Sequence, residues 1–168
     1  TDVRMPDRTR NVPTIDIAKL RSEPRISLSQ SISYRVVFLQ MDQWRETTPF
    51  ANARDGSAIK NPFRNVRVRR AIAQAINREG LIARVMDGNA TVASQLLPDG
   101  FFGISTNLKA VTYDMEKAKK ALAEAGYPSG FKVTLHGPAG RYPNDARILE
   151  AVAQMLARIG IESSIETM

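Results

Sequence analysis

Arg141 has the side chain and the setting to bind a carboxylate. It follows Gly137-Pro138-Ala139-Gly140, in a loop between an alternating apolar run and a helical pattern. Open α/β sheets bind ligands beyond the carboxyl ends of their strands, and helix N-termini favour anions. A guanidinium adds a planar fork that matches a carboxylate. Tyr142 beside it is a candidate to pack on a ligand or to anchor the loop. Trp44 is the only tryptophan and sits in a second long loop. Its indole offers a large apolar face with one donor, either as a ligand platform or as a loop anchor. Asp42, two residues earlier, can pair with a ligand ammonium or cap a turn.

Other chemistry-bearing residues are sparse. There is one histidine and no cysteine. Thiolate zinc sites, disulfides, cysteine nucleophiles and histidine-rich metal sites are therefore excluded. His136 has no second histidine or carboxylate at ligand spacing and reads as a structural strand-end residue. Ser27, Ser29, Ser31 and Ser33 alternate without the glycines of a nucleophile elbow. Gly137 to Gly140 lacks the Lys-Ser/Thr of a phosphate loop. Arg64, Arg67, Arg69 and Arg70 invite a nucleic-acid reading, but they spread around a helix start with only Phe63 near them. A structural role is expected instead. The reading is of a protein that is not an enzyme and needs no cofactor.

Positioning these residues requires an α/β scaffold. Residues 33 to 41 (SYRVVFLQM) are rich in β-branched and aromatic types and apolar on both faces, which predicts a central strand. Residues 42 to 64 read as a long loop. Val68, Ala71, Ile72, Ala75 and Ile76 keep helical spacing. Leu81, Ile82, Val85 and Met86 continue it beyond Asn77, and Gly88 stops it. Asp114 is placed to cap a helix ending at Gly126. Phe131 to His136 alternates as a strand. Asn144 or Asp145 caps the longest helix, with its stripe at Ile148, Val152, Met155, Leu156 and Ile159, and Ile161 to Ile165 follows as a strand. This tail predicts a βαβ unit with parallel neighbours. Residues 1 to 32 read as an irregular lead-in with one short helix over Thr14 to Leu20.

Composition agrees with a globular domain. The chain has 168 residues, 43% hydrophobic and 24% charged, with a net charge of +7. The charge permits anionic partners, although solvated arginines and lysines suffice to explain it. No apolar run approaches the length of a membrane helix.

Five segments resemble the bacterial extracellular solute-binding proteins, family 5, that serve peptide- and nickel-type ABC importers. Tyr34 to Met41 leads into Asp42, where the family usually has Asn. Pro62-Phe63 and Asn65 to Ile72 follow the pattern PF-x-D-x-R-V-R-x-A-I. Ala75-Ile76-Asn77-Arg78 follows A-I-D-R. Tyr113-Asp114 through Glu124-Ala125-Gly126-Tyr127 follows the Y-D-x-x-K-A-K to E-A-G-Y run. Gly140 to Asp145, the helix after it and Ile159-Gly160-Ile161 follow a loop–helix–I-G-I ending. The resemblance implies a periplasmic binding protein-like lobe. Residues 33–168 would be part of the C-terminal lobe of a two-lobed receptor that closes about a hinge on its ligand. It implies an oligopeptide or other small solute as ligand, and ABC permease subunits in the membrane as partners. The implied location is the periplasm, or a lipid-anchored extracytoplasmic site in a Gram-positive host. In dipeptide-binding relatives an arginine in the loop matching Arg141 holds the peptide's C-terminal carboxylate. The rival reading is a basic nucleic-acid-binding domain.

Overall fold

Phe131 and Ile161 open two strands that lie side by side, and the core gathers around them. Both are fully buried. In the computed structural model, which describes residues 12–168, the chain divides at Ser31 into two units. In the first, helix α1 (Thr14–Arg21) is followed by irregular chain. The second, Ile32–Met168, carries the sheet and the remaining helices.

The predicted βαβ tail is present. Strand β2 (Phe131–Gly137) pairs in parallel with β3 (Ile161–Thr167), from Phe131 opposite Ile161 to Gly137 opposite Thr167. The crossover between them carries helix α5 (Asp145–Ala157). Its predicted stripe faces the strands, with Val152, Leu156 and Ile159 buried and Ile148 and Met155 against the same core. Phe131 meets Phe63 and Tyr127 edge-on, at ring-centroid distances of 6.2 and 5.0 Å. Such edge-to-face pairs add about 0.5–1.5 kcal/mol beyond the area they bury.

Helix α2 (Val66–Ala75) buries Val68, Ala71, Ile72 and Ala75. Helix α4 (Met115–Glu124) buries Ala118 and Leu122, and the two helices pack together. The apolar spacing that runs past residue 76 does not make one helix. Ile76 is extended, and Asn77 restarts the chain as the N-cap of α3 (Arg78–Arg84), its side chain accepting from Gly80 N at 2.8 Å. Asp114 caps α4 by accepting from Lys117 N at 2.9 Å. Gly126 follows α4 with φ +97°, the left-handed geometry that stops a helix.

One expectation fails. Residues 33–41 form no strand. The sheet's third member is instead the two-residue β1 (Ala51–Asn52), antiparallel to β2, inside the stretch read as an unbroken loop. That stretch also contains a 3-10 turn at Pro62–Arg64. A strand is defined by its ladder, and no described residue outside 33–41 offers that segment one. Tyr34, Val37 and Phe38 are correspondingly 77%, 70% and 59% exposed. Only Leu39 and Met41, near its end, lie against the core. β-Branched composition reports that a segment fits a pleated surface; it says nothing about whether a partner strand is at hand.

Candidate functional site

The loop after β2 is closed by one carboxylate. Asp145, the first residue of α5, accepts hydrogen bonds from four backbone amides: Gly140 (3.1 Å), Arg141 (2.9 Å), Tyr142 (3.0 Å) and its own neighbour Ala146 (2.8 Å). Those amides, led by Tyr142's, hold the carboxyl down to a pKa of about 2. Asn144 makes the turn possible by adopting a left-handed φ of +58°, a conformation asparagine tolerates better than most residues. Its side-chain amide donates to Val85 O at 2.7 Å, tying the loop to the end of α3.

This changes how the loop can hold an anion. Asp145 already takes three loop amides and one first-turn amide of α5, that of Ala146, and puts a negative charge at the helix N-terminus. Binding of an anion here therefore falls to side chains. Arg141 is exposed and has no ion pair among the described residues. Its Cζ lies 5.5 Å from the centroid of the Tyr142 ring. Tyr142 is 40% exposed, so its ring serves as a rest for the guanidinium and still presents surface to solvent.

One cationic neighbour of Tyr142 comes from a distant segment, which also makes a ring contact of its own. Arg35 Cζ lies 5.7 Å from the same Tyr142 centroid. Tyr34 packs on Phe101, ring centroids 4.2 Å apart. The segment expected to be a strand thus supplies one side chain, Arg35, to the Arg141 loop. No sequence signal links residue 35 to residue 142; only the fold does.

Asp42 pairs with Arg45 Nη1 at 2.8 Å and accepts from the amides of Trp44 (3.2 Å) and Arg45 (3.3 Å). The Arg45 side-chain bond is the main cause of its pKa of about 2. The carboxylate thus caps a turn. Asn61 braces that turn from beneath, donating to the carbonyls of Asp42 (2.8 Å) and Arg45 (2.9 Å). Trp44 is 90% exposed, so its indole is not an anchor on the core. Among the described residues no hydrogen bond, ion pair or ring contact joins Asp42 or Trp44 to the Arg141 loop.

The arginines near α2 divide. Arg69 donates to the carbonyls of Phe63 (2.7 Å) and Arg64 (3.1 Å), fixing the 3-10 turn against the helix. Arg64 pairs with Glu46 at 3.8 Å. Arg67 and Arg70, expected to be structural with them, are exposed and donate no side-chain hydrogen bond among the described residues. A further structural arginine is Arg78, which reaches Ala73 O, Ile76 O and Val111 O at 3.1, 3.5 and 3.1 Å. His136 Nε2 meets Glu166 Oε2 at 2.9 Å across β2 and β3, in register. Among the described residues there is no group of three or more potential metal ligands, and no helix is long and apolar enough to cross a membrane.

The chain belongs to the bacterial extracellular solute-binding proteins, family 5, whose middle-region model matches residues 7–168. It is 30% identical to heme-binding protein A of Haemophilus influenzae over 152 residues, 89% of this chain and 25% of that protein. It is also 30% identical to the dipeptide-binding protein of Escherichia coli over 155 residues, 90% of this chain and 26% of the relative. Among solved structures it matches the periplasmic binding protein DppA from Helicobacter pylori in complex with peptide STSA. That match has a TM-score of 0.70 and 26% identity, covering 94% of this chain and 27% of that one. The chain thus spans about a quarter of the length of the curated relatives it matches.

The Asp145 bonds make a pH test of the loop. The folded pKa of about 2 lies below the unfolded aspartate value of about 3.9. Their contribution is therefore complete above pH ~4 and is lost as the pH falls through about 2. The amide proton shifts of Gly140, Arg141, Tyr142 and Ala146 should move together in that window, and Asp145→Asn should abolish the transition. A common midpoint near pH 4 would show that the amides do not hold the carboxylate.

Proposed function

We propose that this chain forms part of the ligand-binding lobe of an ABC-importer receptor that takes up small peptides. Arg141 would engage the cargo's terminal carboxylate, with Tyr142 packed beside it. Trp44 would be an apolar platform on a separate part of the cleft wall. Asp42 would face the cargo ammonium with whatever access its bond to Arg45 leaves. The observation that carries the reading is Arg141 itself. An exposed guanidinium with no ion pair among the described residues lies beyond the carboxyl end of β2, at the edge where open α/β sheets bind ligands, in a chain of a solute-binding family. Peptide cargo is supported by the tetrapeptide in the H. pylori structure and by the dipeptide-binding relative.

Binding would proceed by closure of a second lobe over the cargo. The receptor would then dock on permease subunits in the membrane from the periplasmic side, or from a lipid anchor in a Gram-positive host. Calorimetry on residues 1–168 and on a complete two-lobed polypeptide carrying them tests this. The complete receptor should bind its peptide with a Kd in the micromolar range or below. The isolated segment, with one wall of the site, should bind at least about a hundredfold more weakly, a loss of roughly 3 kcal/mol or more. Micromolar binding by the segment alone would contradict the two-lobed site.

A further inference from the structure

We infer that Arg35 acts with Arg141 as a second anion-binding guanidinium, so that the site takes a cargo end bearing two carboxylates, such as a peptide ending in glutamate or aspartate. This rests on the proposed role of Arg141 and extends it.

The geometry places two cations on one ring. The Cζ atoms of Arg35 and Arg141 lie 5.7 and 5.5 Å from the Tyr142 centroid, so they are no farther apart than those two distances laid end to end. A phenol face attracts an exposed cation by only about 0.5–1 kcal/mol, so this ring contact leaves the N–H donors of both guanidiniums available to an anion. Neither has an ion pair among the described residues. The acidic residue of this loop does not neutralise them by direct pairing. Asp145 gives its oxygens to four backbone amides, and its charge is balanced by the positive end of α5.

The backbone that carries Arg35 is tied locally. Tyr34, next to it, packs on Phe101 at 4.2 Å. The Arg35 backbone amide donates to the Ser33 hydroxyl at 3.2 Å. A single carboxylate fills one guanidinium fork, and a second fork beside it is satisfied by a second carboxylate. An alkyl side chain at the same place would leave Arg35 with nothing to bind, and an amide would offer one neutral acceptor in place of a charged pair of oxygens.

The test compares Ala-Ala with Ala-Glu by calorimetry on the complete receptor. Wild type should bind Ala-Glu about tenfold or more tightly than Ala-Ala. Arg35→Gln should remove that preference, weakening Ala-Glu by about tenfold or more and Ala-Ala by much less; Arg141→Gln should weaken both peptides. Equal binding of the two peptides by wild type, or a preference that survives Arg35→Gln, overturns the inference. If Arg141→Gln changes neither peptide while Arg35→Gln removes the preference, the Arg141 anchor fails and the role of Arg35 stands. Should neither dipeptide bind, arginine Nε–H resonances titrated with glutarate and with acetate decide. Shifts at Arg35 and Arg141 that saturate together with glutarate, and not with acetate, sustain the inference. Their absence ends it.

Discussion

Replacing Arg141 with alanine should weaken peptide binding by the complete receptor by roughly thirtyfold or more and leave the melting temperature of the unliganded protein nearly unchanged. The size follows from what is lost. Truncating one partner of a buried, hydrogen-bonded charge pair costs on the order of 2–5 kcal/mol, and about 1.4 kcal/mol is a factor of ten. The unchanged stability follows from the structure. The Arg141 side chain is exposed, its one described contact is the Tyr142 ring, and the loop's conformation is held by its backbone amide rather than its guanidinium. Arg69→Ala should do the reverse, lowering the melting temperature because the carbonyls of Phe63 and Arg64 lose their donor, with peptide affinity retained. Calorimetry and thermal denaturation on the two variants separate the roles.

The largest stability effect should come from Gly130→Ala. Gly130 has φ +74° and stands where the chain enters β2, against Gly160 where it enters β3. A β-carbon at Gly130 would fall inside the van der Waals shell of Gly160 O. That neighbour is backbone and cannot rotate away. Separating the two strand starts would disturb Phe131 and Ile161, both fully buried. Left-handed strain alone costs on the order of 1–3 kcal/mol, and the clash and lost packing add to it. The expected total is about 3 kcal/mol or more, a large share of a typical domain's stability. Gly56→Ala, at φ +91° with open space around it, is the control. It should show the backbone strain without the clash. Equal denaturation midpoints for the two variants would remove the close approach as the cause.

How much of this could be read from the chain depends on which forces were local. The stripe of α5, the cap at Asp114 and the parallel pair β2–β3 depend on spacing within short windows, and each is where the residues put it. Residues 33–41 misled because the same side chains that suit a covered strand also suit an extended segment, and a ladder partner cannot be seen from within the segment. Asn144 and Asp145 were both legible as starters of α5, but their division of labour was not. Asn144 takes the left-handed turn, and Asp145 takes three loop amides and that of Ala146. Among the arginines, residue type could not separate Arg69, which reaches the carbonyls of Phe63 and Arg64, from Arg67, which points to solvent. Arg35 was invisible for a different reason. More than a hundred residues separate it from Tyr142, and only the folded chain brings them together.

The central claim, that this chain presents Arg141 to a cargo carboxylate, is tested most directly by a crystal structure of the complete receptor with a bound peptide. The account expects the Arg141 guanidinium within about 2.7–2.9 Å of the peptide's carboxylate oxygens, facing the cleft between lobes, with Asp145 still bonded to the loop amides. A peptide carboxylate held by another residue, with Arg141 turned away from the cleft, would contradict it.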